Sequence, residues 1–374
     1  MLVTQVEVEQ VYCLVRADSN KAAMQRIRNS LEDAHLLQTL EPTQLQKITA
    51  LSSNLNADNL GLSNEIYDVL CNRVTNIIHN AWAVNFNMQL ASFETLSIAS
   101  VPNLLNLARR SHLQTKPRFT FISSIATISQ ARQVPVAEAR HGWEAVGNMG
   151  YAQSKWVAEE ICTYAAETSG PSGPSIQILR IGQITGDTQH GKWNAREAIP
   201  SVVQTALTIG ALPVIEGRDE THFWLPVDTC AAAVVQLALS HHHTSSVSFF
   251  HVCNHRGFCW NAEFIPSLRK AGLQFDELPQ REWLRRLEAS DSDVFRNPPY
   301  RLLEHFRERY GRSREEEDDI IPGDGYTIDS ISARTFAPVL DRAEPVDDAL
   351  VGKFVRYWLS DGWNKLVESR QLPR

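Results

Sequence analysis

The chain has 374 residues, of which 43% are hydrophobic and 21% charged, and its formal net charge at pH 7 is −7. This composition is typical of a globular protein and excludes the collagen-like, disulfide-rich and intrinsically disordered classes. An acidic chain of this kind is not expected to bind nucleic acid or an anionic membrane surface. Glycine is unevenly distributed, since the first of the 18 glycines is Gly61. A glycine-rich phosphate loop therefore does not occur before that residue.

Six cysteines are spread along the sequence without a C-x-x-C pair or a dense framework. A reduced intracellular protein is the simplest interpretation, and we expect a cytoplasmic location. The first residues lack the basic and apolar regions of a signal peptide, and no run of about eighteen apolar residues occurs. We therefore expect no membrane-spanning segment. The sequence leaves the oligomeric state open, with a monomer as the favoured state.

Between residues 11 and 240, short apolar runs alternate with longer helical patterns. The apolar runs predict buried strands at residues 11–15, 74–78, 118–122 and 176–181. The longer patterns predict helices at residues 63–70, 90–111 and 151–167, each of adequate length for a right-handed crossover. This alternation predicts an α/β fold, a Rossmann-like doubly wound parallel sheet that binds ligands at the carboxyl ends of its strands.

After about residue 240 the pattern changes to one strand, at residues 247–252, and several charged amphipathic segments. Helices are predicted at residues 283–287, 302–310 and 347–366. The charge run and turn within residues 314–325 are expected to be the most mobile part. We divide the chain into a nucleotide-binding domain, residues 1–240, and a smaller, mostly helical substrate or lid domain, residues 241–374, with some elements interleaved.

Tyr151 and Lys155 have the Y-x-x-x-K spacing at the start of a predicted helix. The spacing places the phenol and the ammonium on one helix face, a single turn apart. A nearby cation lowers the pKa of a phenol and makes it a usable acid or base toward a carbonyl oxygen. On spacing alone, an exposed helix face without a catalytic role is an equal alternative.

Polar residues also follow the predicted strands, where a doubly wound sheet binds its ligand. Ser123 and Ser124 follow the strand at residues 118–122, and a serine there can hydrogen-bond the same carbonyl oxygen or merely cap a turn. His-Asn-Ala-Trp follows the second strand at residues 79–82. Arg16 closes the first strand, where an arginine suits the 2′-phosphate of NADP and an acid would suit ribose hydroxyls. An exposed arginine without a ligand is an equal alternative.

Histidines and cysteines occur in two further segments, for which we predict no metal ion. Residues 241–243 are three histidines beside Thr-Ser-Ser, which is typical of a solvated loop. The spacing of His251, Cys253, His255 and Cys259 fits no common zinc finger. A G-x-S-x-G motif is also absent, which argues against a thioesterase of the α/β-hydrolase kind.

Six motifs occur together and in order along the chain. They lie at residues 13–17, 79–82, 123–124, 151–155, 180–183 and 224–228. In this combination the chain resembles the thioester reductases. These are extended short-chain dehydrogenase/reductases found at the C-terminus of fungal carboxylic acid reductases related to nonribosomal peptide synthetases, and of some polyketide hybrids. The similarity covers nearly the whole chain, because it continues at residues 191–194, 212–213 and 297–298.

The resemblance implies an NADPH-dependent reductase of secondary metabolism. Its substrate would be an acyl thioester on a phosphopantetheinylated acyl carrier protein, or the derived aldehyde. Tyr151 would donate a proton to the nascent oxyanion, and Lys155 would hold the nicotinamide ribose and lower the pKa of Tyr151. Ser124 would complete the oxyanion contact, with Ser123 the weaker choice. The NADP(H)-binding residues implied by the resemblance are Arg16, Arg26, Asn80, Ala81, Tyr151, Lys155, Gly182 and Gln183.

The sequence departs from this family on the cofactor side. The family begins with a strand, a glycine-rich turn and a helix before the strand that here starts at Val11, yet only ten residues precede Val11. Residues 53–55 are Ser-Asn-Leu, where relatives tend to carry Gly-Asp-Leu near the adenine. A misplaced start at Met1 would account for the first departure. Without the unit we expect unpaired strand edges and aggregation of the isolated chain.

Two other interpretations of the sequence stay open. The first is a catalytically inactive reductase remnant or interaction module that binds no cofactor. The second is another extended short-chain dehydrogenase/reductase, such as a nucleotide-sugar epimerase or dehydratase.

Overall fold

The computed structural model describes residues 1–215, 221–240, 246–311 and 328–363. The histidine run at residues 241–243, the predicted mobile segment at 314–325 and the end of the predicted closing helix lie outside the described residues. Within the described residues, none of the helices has the length and apolar character needed to cross a membrane.

Strands and helices alternate along the first two thirds of the chain. The described strands are β1 (Val11–Val15), β2 (Ile48–Ser52), β3 (Asn76–His79), β4 (Arg118–Ser124), β5 (Ile176–Ile181), β6 (Ile184–Thr185), β7 (Ala211–Val214), β8 (Thr221–His222), β9 (Leu225–Pro226), β10 (Val247–Val252), β11 (Phe258–Cys259) and β12 (Asp276–Pro279). The described helices are α1 (Asn20–Asp33), α2 (Pro42–Gln46), α3 (Asn64–Arg73), α4 (Leu90–Phe93), α5 (Ser100–Arg110), α6 (Gly150–Ser169), α7 (Ala198–Thr208), α8 (Val227–Leu239), α9 (Ile265–Lys270), α10 (Gln280–Glu288), α11 (Leu303–Tyr310), α12 (Ile331–Phe336), α13 (Pro338–Asp341) and α14 (Asp348–Tyr357).

A parallel sheet with the strand order β10-β5-β4-β3 lies at the centre of the molecule. Ile176 and Ile178 of β5 pack into a core with α5 and α6, whereas Leu179 and Ile181 pack into a second core with α8 and α12. Helices therefore cover both faces of the sheet, which explains why every residue of β5 is buried. The Rossmann-like α/β fold predicted from the sequence is confirmed.

A separate parallel pair, β1 with β2, adjoins this sheet. Tyr12 and Leu14 of β1 contact the same core as Ile77 of β3. In the described part of the chain no strand pairs with the second edge of β1 or with the outer edge of β3. The prediction of a fully buried strand at residues 11–15 is wrong for this reason, since all five residues of β1 are only half-buried.

The C-terminal half builds its own core from aromatic side chains. Its buried aromatic members include Trp193, Trp224, Trp260, Trp283, Phe306, Phe354 and Trp358. This core includes residues from before position 240, such as Trp193, while β10 belongs to the central sheet. The two regions of the chain therefore interleave. Trp224 is 5% exposed and packs within this core.

Several predicted boundaries differ from the structure. β3 begins two residues later than the predicted strand, because α3 continues to Arg73. The helix predicted at residues 90–111 is divided into α4, a π-helical turn at Glu94–Ile98, and α5. Pro102 has no N–H to donate to the carbonyl four residues earlier, which accounts for the break. β2 was not predicted from its short apolar run.

Candidate active site

The start of α6 holds Tyr151 beneath a loop. Gly150 is the first residue of the helix, and a Cβ there would lie 2.3 Å from the carbonyl oxygen of Met88. The missing side chain lets the loop that ends at Leu90 approach the helix. As a result the ring of Tyr151 packs edge-on against Phe86 and Phe93, with centroid distances of 5.3 and 6.4 Å.

The carboxyl end of β4 brings Ser124, and not Ser123, to Tyr151. The Ser124 side chain lowers the pKa of the Tyr151 phenol, but burial, the larger cause, raises that pKa above its ordinary value. Ser123 is 2% exposed, and its hydroxyl donates to Oε1 of Glu159 at 2.5 Å. The two serines thus have different partners, as alternation along a strand requires.

Lys155 is 3% exposed and lies among aromatic rings. Its Nζ donates to the carbonyl oxygen of Ile122 at 2.6 Å and lies 4.3 Å from the ring centroid of Trp82 and 6.0 Å from that of Tyr151. Burial lowers the pKa of the ammonium to about 7, and the charge of Glu159 acts in the opposite direction. Lys155 is therefore poised to change its charge near neutral pH.

His79, at the end of β3, is a neutral neighbour of this ammonium. Its Nε2 lies 2.9 Å from the hydroxyl oxygen of Ser100, and the imidazole is 2% exposed. Burial lowers the pKa of His79 to about 3, with the charge of Lys155 as the second cause. At neutral pH the imidazole is uncharged, so His79 does not add a second cation beside Lys155.

The residues expected at the adenosine end of a cofactor lie together on the surface. Arg16 follows β1 and Arg26 belongs to α1; both are exposed, and Nη1 of Arg26 donates to the carbonyl oxygen of Arg16. Ser53 follows β2, and its hydroxyl is buried without a hydrogen-bond partner among the described groups. An orphaned hydroxyl beside two exposed guanidinium groups fits a nucleotide that carries hydroxyls and phosphate.

The residues expected beside the ribose and nicotinamide lie at the carboxyl ends of β3 and β5. Asn80 and Ala81 are exposed, and so is Gln183. The backbone N–H of Gly182 donates to the carbonyl oxygen of Val252 at 3.0 Å, and a Cβ at Gly182 would come within 3.1 Å of Cys253. The residues predicted to bind the cofactor therefore follow the carboxyl ends of β1, β3 and β5 or lie on α1 and α6.

Sequence reasoning missed two functional candidates, Phe86 and Glu159. Phe86 bridges Tyr151 and the C-terminal half, because its ring stacks on that of His305 in α11 at 6.2 Å. Nothing in the local sequence predicts the contact between Phe86 and His305. Glu159 is fully buried. The sequence feature that could have identified it is its position four residues after Lys155, one further turn along α6.

The described residues contain no group of three side chains suited to hold a metal ion. His251 hydrogen-bonds through Nδ1 to the carbonyl oxygen of Asp329 at 2.7 Å. Burial lowers the pKa of this imidazole to about 3. His251 is thus a neutral, buried part of the protein core.

A parallel sheet with helices on both faces, together with a serine at the end of β4 and the Tyr-Lys pair of α6, defines an extended short-chain dehydrogenase/reductase. The profile of the Male sterility protein family, an NAD-binding family, matches residues 1–234. The chain belongs to that family.

Similar proteins include fungal biosynthetic enzymes and a reductase domain of known structure. A non-canonical non-ribosomal peptide synthetase of Acremonium egyptiacum, AscB, is 30% identical over 95% of this chain and 32% of its own length. An adenylate-forming reductase of Aspergillus terreus is 28% identical over 96% of this chain and 34% of its own length. The terminal reductase domain of the myxalamid polyketide–peptide pathway has the same fold, with a TM-score of 0.78, 24% identity and coverage of 95% of this chain and 85% of that chain.

These similarities confirm the resemblance to thioester reductase domains. The chain spans about a third of the length of the two curated relatives, 32% and 34%. It therefore corresponds to one domain of those larger enzymes.

Proposed function

We propose that this protein is a cytoplasmic NADPH-dependent reductase of acyl thioesters held on a phosphopantetheinylated carrier protein, or of the derived aldehydes, in secondary metabolism. The observation that carries this proposal is that Ser124, at the carboxyl end of β4, lies close enough to Tyr151 to lower the pKa of the phenol, with Lys155 one turn further along α6. The reductase domains among its relatives support the same reaction. Its six cysteines are free, which suits a reducing compartment.

The protonation state of Tyr151 favours reduction over oxidation. Burial raises the pKa of the phenol, so Tyr151 keeps its proton at neutral pH and acts as an acid. A proton donor is needed when a carbonyl oxygen gains negative charge. Ser124 can donate a second hydrogen bond to that oxygen and stabilise the charge.

The nicotinamide, when bound, supplies the hydride that attacks the thioester carbonyl carbon. Tyr151 transfers its proton to the carbonyl oxygen, which gives a hemithioacetal. The C–S bond of this adduct then breaks, the hydroxyl proton leaves and the departing thiolate is protonated, so that an aldehyde and a thiol are released. A second reduction of the aldehyde would give an alcohol.

The cofactor assignment rests on the two ends of the proposed site. Lys155 would hold the nicotinamide ribose, beside Asn80, Ala81, Gly182 and Gln183. Arg16 and Arg26 would hold the 2′-phosphate, which distinguishes NADP from NAD. Arg16 and Arg26 carry the positive charge that suits the phosphate end of a dinucleotide. The other residues, near the carboxyl ends of β3 and β5, suit its nicotinamide end.

The C-terminal residues, 241–374, would act as the lid that receives the acyl-pantetheine arm. The supporting contact is the stack of Phe86 on His305, because it joins α11 to the ring that packs against Tyr151. Phe86 is 43% exposed, so it is accessible to an incoming acyl group.

An inactive protein that keeps the reductase fold and binds a carrier protein is the second candidate. The interrupted sheet favours it. No described strand lies between β1 and β3, and the sequence has no glycine before Gly61 to form a turn around a pyrophosphate.

Consumption of NADPH with an acyl thioester of N-acetylcysteamine tests the first proposal. We expect the unmodified protein to oxidise NADPH, and Tyr151→Phe to lower kcat by about 10²- to 10⁴-fold because the proton donor is lost. Tyr164→Phe is the matched control, since Tyr164 lies on the same helix and is 68% exposed. Absence of both NADPH binding and turnover in the folded, unmodified protein would support the second candidate.

A further inference from the structure

A buried ion pair lies directly beneath the proposed catalytic residues. Nη2 of Arg180 on β5 lies 2.7 Å from Oε2 of Glu159 on α6, and their side chains are 0% and 2% exposed. Nε of Arg180 also donates to Oε1 of Glu159 at 3.1 Å. This is the bidentate arrangement that makes a guanidinium–carboxylate pair strong and directional.

The same carboxylate accepts two hydroxyl groups. Ser123 donates to Oε1 of Glu159 at 2.5 Å and Thr127 donates to it at 3.0 Å. Both hydroxyls are buried. A buried carboxylate is costly to desolvate, and a pair of this kind gives little net stability compared with an apolar replacement. Overall stability is therefore a weak explanation for placing the pair here.

The geometry of the chain around Ser124 gives a better explanation. Ser123 precedes Ser124, and Thr127 follows it in the 3-10 turn Ile125–Ile128. The Thr127 hydroxyl also lies 2.8 Å from the carbonyl oxygen of Ser124, so its single proton is shared between that oxygen and Glu159. Glu159 thus binds the side chains of Ser123 and Thr127 on the two sides of Ser124, while the Ser124 side chain is left to act on the phenol of Tyr151, whose pKa it lowers.

We propose that Glu159 is a positioning residue: through Ser123 and Thr127 it fixes Ser124 against Tyr151, and its charge supports the ammonium of Lys155 one turn earlier on α6. The role in turnover rests on the proposed reductase function. The effect on Lys155 does not, since it concerns the folded protein alone.

The sign of the charge effect follows from the groups around Lys155. His79 on β3 and Tyr151 on α6 are uncharged at neutral pH, because burial lowers the pKa of the first to about 3 and raises that of the second. Glu159 raises the pKa of Lys155 against the larger effect of burial. Arg180 and His251 lie behind Glu159, with Nη1 of Arg180 and Nε2 of His251 3.4 Å apart. Without the carboxylate, Arg180 is left as an uncompensated cation.

The variant Glu159→Gln keeps the size and one acceptor of the side chain but removes its charge. We expect the pKa of Lys155 to fall below about 7. A fall of one unit leaves about one tenth of the ammonium at pH 7, compared with about half in the unmodified protein. Titration by NMR with carbon-13 at the lysine Cε atoms measures this directly, because the chain has only eight lysines and Lys155→Arg assigns the signal.

Glu160→Gln is the matched control for that titration. Glu160 is the next residue of α6, and it pairs at the surface with Arg140, whose side chain is 50% exposed. We expect the titration of Lys155 and the turnover to be unchanged in this variant. An equal shift in both variants would overturn the proposal, because it would show a general effect of removing charge from α6.

The double variant Ser123→Ala/Thr127→Val tests positioning without disturbing the ion pair, and it covers the case in which Glu159→Gln does not fold. We expect a fall in kcat of about tenfold or more, an unchanged KM for NADPH and an unchanged Lys155 titration. An unchanged kcat would overturn the positioning role. The two proposals can also fail separately. If the unmodified protein never consumes NADPH but the Lys155 pKa shifts in Glu159→Gln, the charge effect is retained and the proposed reductase function is rejected.

Discussion

The buried ammonium of Lys155 links the chemistry of the site to the stability of the fold. Its pKa is lowered from 10.5 to about 7 by burial. Between these two values the unfolded chain binds a proton that the folded chain does not. The free energy of unfolding therefore rises with pH across this window, and the full penalty of burying the charge applies below about pH 7.

Thermal unfolding from pH 6 to pH 9.5 checks this linkage. We expect the Tm of the unmodified protein to rise with pH relative to that of Lys155→Met, because the variant has no ammonium to desolvate. Lys270→Met serves as the control, since Lys270 is 65% exposed. Identical pH dependences in all three proteins would show that Lys155 is not held as the structure has it.

Arg16 is the residue on which the choice of NADP depends. We expect Arg16→Ala to weaken NADPH binding by about tenfold or more and to leave NADH binding unchanged, because a charge-assisted contact to the 2′-phosphate is lost. Fluorescence titration of the two cofactors measures the ratio. Arg28→Ala, an exposed position on the same helix as Arg26, should leave the ratio as it is. Equal losses for both cofactors would refute a role in recognising the phosphate.

At the scale of elements, the approach of the Met88 loop to the start of α6 depends on one missing side chain. Gly150→Ala would place a Cβ 2.3 Å from a backbone oxygen, so loop and helix must separate. We expect a loss of about 1–3 kcal/mol in the free energy of unfolding. Activity should fall too, because Tyr151 moves with the helix start.

Gly352→Ala is the contrasting substitution. Gly352 lies inside α14, and the nearest atom to an added Cβ is the end of the Arg356 side chain at 3.5 Å. We expect a gain of about 0.5–1 kcal/mol, because alanine restricts the unfolded chain. Chemical denaturation of both variants measures the difference. Equal destabilisation by Gly150→Ala and Gly352→Ala would contradict this expectation, because it would show that the close contact at Gly150 does not distinguish the two sites.

Some elements could be predicted because their signal is local. β5 and β10 have the predicted bounds, since both are mainly apolar segments in a sheet covered by helices. The Tyr151–Lys155 spacing likewise follows from helical geometry alone. β2 was not predicted because the extended conformation of its five residues depends on pairing with β1. Glu159 and Phe86 were not predicted for a related reason. Glu159 contacts Arg180 and Phe86 contacts His305, and only the tertiary fold brings these distant residues together.

At the scale of the whole molecule, the outer edge of the central sheet is better protected from pairing with another chain than the open edge of the β1-β2 pair. The outer strand β10 has its His251 N–H bound by the carboxylate of Glu138 at 2.8 Å. β1 has a half-buried apolar sequence and one edge without a described partner strand. Open apolar edges associate with other chains.

We therefore expect the protein to self-associate as its concentration rises. Light scattering coupled to gel filtration over a hundredfold range of concentration measures the mass. Added NADPH should reduce association if it orders residues near β1. A monodisperse protein of monomer mass that melts cooperatively at every concentration would contradict this expectation.

The pairing of β1 with β2 alone also has a consequence for local opening. This pair is joined to the central sheet by side-chain contacts and not by a hydrogen-bonded ladder, so it can separate at a lower free energy than β4 or β5. Amide hydrogens of β1 would then exchange with solvent well before those of the central strands. Arg16, which directly follows β1, would thus lie on the least protected part of the sheet, and a nucleotide bound there would slow exchange in β1 first.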